Sequence, residues 1–111
     1  MGMSRIEFTP TLAYTPQLTT REVSPGRLTS AQLTTSQAFI SPGMCKARLV
    51  LYRGGLLPED AVACLIDDYI YTDHSAFWTG DIITQSGDTL GLHTVSGIGI
   101  KVSGSFGVAS L

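Results

Sequence analysis

The hydrophobic and polar positions divide this chain into three regions. Over residues 1 to 43, large apolar residues fall singly among Thr, Ser and Gln with no sustained 3.6-residue period, which disfavours helix. Pro10, Pro16, Pro25 and Pro42 lie in the same stretch, and each lacks a backbone donor and biases its predecessor toward extended geometry. The stretch is also repetitive. Phe8-Thr9-Pro10 is echoed by Tyr14-Thr15-Pro16, and Gln17-Leu18-Thr19-Thr20 returns as Gln32-Leu33-Thr34-Thr35, with Arg27-Leu28-Thr29-Ser30 between. The spacing predicts an extended arm that drops Phe8, Leu12, Tyr14, Leu18, Leu28, Leu33 and Phe39 into successive shallow pockets of a partner, its backbone free to extend a sheet edge. A disordered tail would have similar Pro, Ser, Thr and Gln content; the regular placement of Leu and aromatic residues favours the arm.

Residues 44 to 111 read as one compact β-rich domain. Ala47-Arg48-Leu49-Val50-Leu51-Tyr52 is β-prone and ends at the turn signal Gly54-Gly55. Pro58 followed by Glu59 and Asp60 is a helix-start signature, because the missing donor costs nothing there and the acids meet the positive end of the dipole. From Ala61 to Tyr71 both alternating sets are largely apolar, so the period does not separate helix from strand. A short helix over roughly 59 to 66 with strand after it is the expectation, the later end resting on Tyr69-Ile70-Tyr71. Beyond residue 81, apolar runs at Ile82-Ile83, Leu90 to Val95, Ile98 to Val102 and Phe106 to Leu111 are separated by Ser86-Gly87, Ser96-Gly97 and Ser103-Gly104. These predict strands with turn or bulge punctuation. The expected fold is therefore mainly β: a small β-barrel or β-sandwich-like domain with at most one short helix and an extended N-terminal arm.

Composition sharpens this picture at the C-terminal end. Charged residues make up 14% of the chain, against roughly 25% in an ordinary soluble domain. Asp88 and Lys101 are the only charged side chains from residue 82 onward, a stretch that also holds six of the glycines. An edge of that kind invites aggregation, so cover by another subunit or by a partner's chain is expected. The net charge of −2, with scattered Lys and Arg, gives no footprint for nucleic acid. No apolar run approaches the ~20 residues that span a bilayer, so no membrane partner is expected. The absence of a basic segment followed by an apolar core suggests assembly in a cytoplasm. Cys45 and Cys64 read as two buried apolar thiols in a reducing compartment.

Candidate chemistry is thin. Asp67, Asp68, Asp73 and His74 form the densest polar cluster, compatible in ligand type with Mg²⁺, Ca²⁺ or Zn²⁺, but no metal-loop spacing accompanies them and solvated loop carboxylates are the better reading. Ser75 follows His74 without a nucleophile-elbow motif. Gly97-Ile98-Gly99 lacks the third glycine of a phosphate-binding turn. No enzyme, cofactor or metal is expected. Trp78, in Phe77-Trp78-Thr79-Gly80, serves equally as core or as an interface anchor. Ile98, Ile100 and Phe106 join it as candidate oligomer-interface residues.

The stretch Arg48-Leu49-Val50-Leu51-Tyr52-Arg53-Gly54-Gly55, then Ala61-Val62-Ala63-Cys64-Leu65-Ile66, then Phe77-Trp78-Thr79-Gly80 resembles the small head decoration, or cement, proteins of lambda-type tailed bacteriophages. The likeness covers about a third of the chain by pattern, and the segment from Ser86 to Leu111 has no counterpart in it. The resemblance implies a β-rich homotrimer on the outside of a viral capsid, bound to the major capsid protein through its N-terminal arm, on a virion assembled in the host cytoplasm. Two rivals remain: a phage tail, baseplate or fibre subunit whose Gly/Ser-rich C-terminal strands intertwine, and a small metal-binding or enzymatic module built on the acidic cluster.

Overall fold

The computed structural model describes residues 2–8, 17–36, 44–71, 75–96 and 101–110. Their strands are β1 (Gly2–Phe8), β2 (Gln17–Glu22), β3 (Gly26–Ser36), β4 (Met44–Tyr52), β5 (Ala61–Tyr71), β6 (Ser75–Thr84), β7 (Thr89–Ser96) and β8 (Lys101–Ala109). They pair antiparallel throughout, in two four-stranded sheets. Sheet A runs β1-β8-β3-β6 and sheet B runs β2-β7-β4-β5. Every successive strand changes sheet except at the β4–β5 hairpin, which is the strand order of an eight-stranded jelly roll. The fold is mainly β, as the sequence predicts.

Period-2 alternation explains why these segments fold as strands. Ala47, Leu49 and Leu51 of β4 face the core and are buried, while Lys46 and Arg48 on the opposite face are exposed; Val50 and Tyr52 lie on that outer face too but are covered there. Leu28, Leu33, Val102 and Phe106 from sheet A meet Leu49, Leu51, Leu90 and Leu92 from sheet B in one contiguous core. In β3 the alternation slips once, at a bulge between Leu28 and Ser30, which lets Leu28 and Ala31 both face inward though three residues apart.

Five expectations are corrected. The strap over residues 1 to 43 does not describe residues 17–36, which are structural strands. β3 is hydrogen-bonded to β8 on one side and β6 on the other, and Leu28 and Leu33, expected as partner anchors, are completely buried in the core. β1 and β2 are edge strands laid along β8 and β7. Tyr14, Leu12 and Phe39 lie outside the described residues, as does the side chain of Phe8, whose backbone pairs with Val102. The charge-poor C-terminus thus needs no foreign cover. β7 and β8 are inner strands, flanked on both sides by strands of the same chain, and inner strands carry few charges because both their edges and one face are sealed.

The helix expected over 59 to 66 is a single 3₁₀ turn at Pro58–Asp60 followed directly by β5. The start signals are real but local: Asp60 donates its N–H to the Leu57 carbonyl at 2.9 Å, and its carboxylate accepts from the Leu57 N–H at 3.1 Å. Beyond that turn, β4 offers a ladder from Ala61 to Tyr71, broken only by bulges at Val62 and Leu65, and pairing overrides propensity. At the other end of the chain, Ser103-Gly104 sits mid-strand in β8 rather than in a turn, Gly104 pairing with both Ile6 and Leu33. Ser86-Gly87 is a turn as expected, with Gly87 at φ +89°.

The fifth correction concerns the thiols. Cys64 is exposed on the outer face of sheet B, not buried, and the side chain of Cys45 lies outside the described residues. Cys45 pairs with Ile70 and Cys64 with Val50. Five residues along β4 separate the two, about 17 Å at strand rise, far beyond disulfide reach.

Candidate functional site

The residues singled out in the sequence are not brought together. Asp67 is exposed on β5 opposite Arg48; Asp68 is exposed and accepts the Tyr69 N–H at 2.8 Å; Asp73 and His74 lie outside the described residues. No three His, Cys, Asp or Glu side chains converge among the described residues. Phe106, expected at an oligomer interface, is instead a core residue, 2% exposed. Trp78 is half-buried against that core, its ring folded over Gly80, where a Cβ would collide with the indole. Ile98 and Ile100 fall outside the described residues.

Two surface features stand out. The first is the side of the sandwich formed by β5 and β6, the outermost strands of sheets B and A, which approach each other there. Leu56, Leu57, Val62, Tyr69, Phe77 and Ile83 are all exposed large apolar residues on these strands or on the loop leading into β5. On the rest of the described surface, Leu18 alone joins that class. Phe77 is 69% exposed and Ile83 60%, because the alternation of β6 sends Ala76, Trp78 and Ile82 inward and their neighbours out. Single exposed apolar side chains need no explanation, but a concentration along one side does.

The second feature is a shallow polar groove on the outer face of sheet A. The strand register places Ser105, Gln32 and Phe77 in one row across β8, β3 and β6, with Ser103, Thr34 and Ser75 in the next. Two depressions share Gln32 and Ser105. One, of about 240 Å³, is lined by Gln32, Thr34, Ser103, Gly104 and Ser105; the other, of about 100 Å³, has Phe77 and Thr79 on its walls. The Thr34 and Ser103 hydroxyls hold each other at 3.1 Å. Among the described residues the side chains of Gln32 and Ser105 make no protein hydrogen bond.

The outer face of sheet B is filled differently. Tyr52 lies over Gly91, with its hydroxyl 2.5 Å from Nε2 of His93, which leaves Tyr52 only 3% exposed although it points away from the core. Burial, aided by the charge of Arg48, holds the His93 pKa below its ordinary value. At one end of the sandwich Asp88 is fully inaccessible. It accepts from Arg53 Nε and Nη2 at 2.9 and 2.8 Å and from the Gln85 N–H at 2.9 Å, and its carbonyl accepts the Val23 N–H. The Arg53 guanidinium holds the Asp88 carboxyl below the usual carboxylate range. This node ties the β2–β3, β4–β5 and β6–β7 connections together. A second, exposed pair joins Arg27 to Asp81, Nε to Oδ1 at 2.9 Å.

Comparison with known protein families, curated proteins and solved structures returned no match. No helix among the described residues is long and apolar enough to cross a membrane. The exposed edge was missed in the sequence although a signal for it existed: once Trp78 is placed inward, strand parity puts Phe77 outward.

Proposed function

We propose that this protein is a non-enzymatic assembly subunit, a capsid decoration protein that self-associates and seats on the major capsid protein of a virion. The observation that carries the reading is the apolar β5/β6 side, where six large side chains face solvent beside two strand edges left unpaired among the described residues. An exposed strand edge flanked by apolar anchors is what strand addition and symmetric association use. The jelly-roll order is shared with viral capsid domains, and also with lectins and cupins, so it supports the reading only by analogy.

The grip differs from that of a long strap. With residues 17–36 committed to the sandwich, the β5/β6 side takes the role first given to Leu28 and Leu33. The fibre alternative drew its support from free C-terminal strands; β7 and β8 are internal, and that support is gone.

The test is Leu57→Ser, Val62→Ser and Ile83→Ser together, all at exposed positions. Light scattering after size exclusion is expected to give a multiple of 11.8 kDa for the parent chain and the monomer mass for the variant. Virions carrying the variant should lose the protein and resist heating less well. A parent chain that stays monomeric at high concentration, or a variant that assembles unchanged, would refute the proposal.

A further inference from the structure

We propose that the outer face of sheet A is a binding site for a neutral oligosaccharide. The inference does not rest on the assembly reading: it shares Phe77 with the apolar β5/β6 side but otherwise uses the polar outer face of sheet A. Its basis is the pair of adjoining depressions that meet at Gln32 and Ser105.

The lining selects the ligand class. Ser103, Ser105, Thr34 and Thr79 offer hydroxyls that both donate and accept, and Gln32 offers an amide with separate donor and acceptor ends. None of the described lining residues ionises, so what they offer is hydroxyl and amide groups rather than a charge partner for a phosphate, a carboxylate or a cation. A hydroxyl-rich neutral molecule matches such an array, because each of its groups can take either role against a partner that can also take either.

Two features separate this groove from an ordinary polar sheet face. Gln32 and Ser105 are half-buried yet carry no protein hydrogen bond among the described residues, which leaves polar capacity that a ligand can satisfy. Phe77, the most exposed large apolar residue described, stands in the same cross-strand row as these two. An aromatic face beside convergent polar groups suits a pyranose ring, which is apolar on its C–H face and polar at its rim. Strands lie about 4.8 Å apart, so the row from Ser105 to Phe77 extends across two strand spacings, enough for a chain of linked rings rather than one.

An extended peptide fits less well. β3 and β8 are inner strands whose backbone groups are already paired with their neighbours, so the face offers side chains only and cannot accept a peptide by strand addition.

The experiment is an amide-detected NMR titration of the full chain with maltohexaose, cellohexaose and mannohexaose in turn, with a hyaluronan hexasaccharide as anionic comparison. The anionic sugar tests whether charge, rather than hydroxyl and amide complementarity, governs binding. Saturable shifts at the Gln32 side-chain amide and at residues 77 and 103 to 105 are expected for at least one neutral sugar. Gln32→Ala and Phe77→Ala should each weaken binding at least tenfold, while Leu18→Ala on the opposite sheet should not. These are solvent-facing positions, and unchanged spectra elsewhere will show that the variants fold. No saturable shift with any neutral sugar at millimolar concentration, shifts confined to another surface, or tighter binding of the anionic sugar would overturn the proposal. The edge variant Leu57→Ser, Val62→Ser, Ile83→Ser leaves the groove intact, so failure of assembly and failure of sugar binding are read separately.

Discussion

Replacing Leu33 with alanine separates a core strand from a partner-binding strap. Leu33 has no accessible surface, and β3 holds it between Gly104 of β8 and Ala76 of β6. Truncation removes three carbon atoms, and neither neighbour carries a side chain large enough to fill the space. Poor collapse puts the cost toward the upper part of the roughly 2 to 5 kcal/mol seen when leucine is truncated in a core. Against a total stability of roughly 5 to 15 kcal/mol, that is a large fraction. Urea unfolding followed by far-ultraviolet circular dichroism should show a lower midpoint at unchanged slope, the signature of lost stability without a change in exposed surface. A strap anchor would behave otherwise, leaving the isolated chain's midpoint where it was. A loss below about 1 kcal/mol, less than typical core truncations, would refute the placement of β3 in the core. So would a folded product after deletion of residues 2 to 40, since that deletion removes β1, β2 and β3 together.

Three other variants test the outer face and the ends. Gly91→Ala places a Cβ 2.8 Å from Cε2 of Tyr52 and 3.2 Å from Cδ1 of Leu18; the ring must leave its position over β7, and a loss of about 1 to 3 kcal/mol is expected in thermal melts. Asp88→Asn keeps the shape but discards the charge that two Arg53 nitrogens bond, at a cost of about 1.5 to 3 kcal/mol. Because the folded Asp88 pKa lies below the ordinary 3.8, the folded chain binds fewer protons than the unfolded one in that region. Stability from this group is therefore full above pH 4 and falls on further acidification, a decline the Asn variant should lack. His93 works in a higher window. With its folded pKa below the ordinary 6.5, the parent chain should lose stability as pH drops from about 6.5 toward the lower folded value. In the protonated ring Nε2 can only donate to the Tyr52 hydroxyl, and a second cation is set near Arg48. His93→Gln should flatten stability between pH 7 and 5, and an unchanged slope would refute this role.

The fold class was written in local pattern. The run at Ala47 to Tyr52 and the Ser86-Gly87 turn needed only alternation and turn chemistry to be read, because both are set by neighbours in sequence. The single 3₁₀ turn at Pro58–Asp60 is a partial case: capping signals fixed its start, but its length was decided by β4, which lies on the other side of a loop and captures the chain from Ala61 onward.

What sequence could not decide was which strands pair. Leu18, Leu28 and Leu33 repeat one motif, yet Leu18 is exposed on an edge strand while the other two are buried in an inner one. Spacing assigns the three the same role, and only the order of strands in each sheet separates them. The same holds at the other end, where a glycine-rich, nearly uncharged segment looks like an open edge until β1 and β2 are laid along it. Side-chain alternation is a property of consecutive residues and is legible in the chain. Edge or centre is a property of residues some hundred positions apart, and the tertiary structure alone determines it.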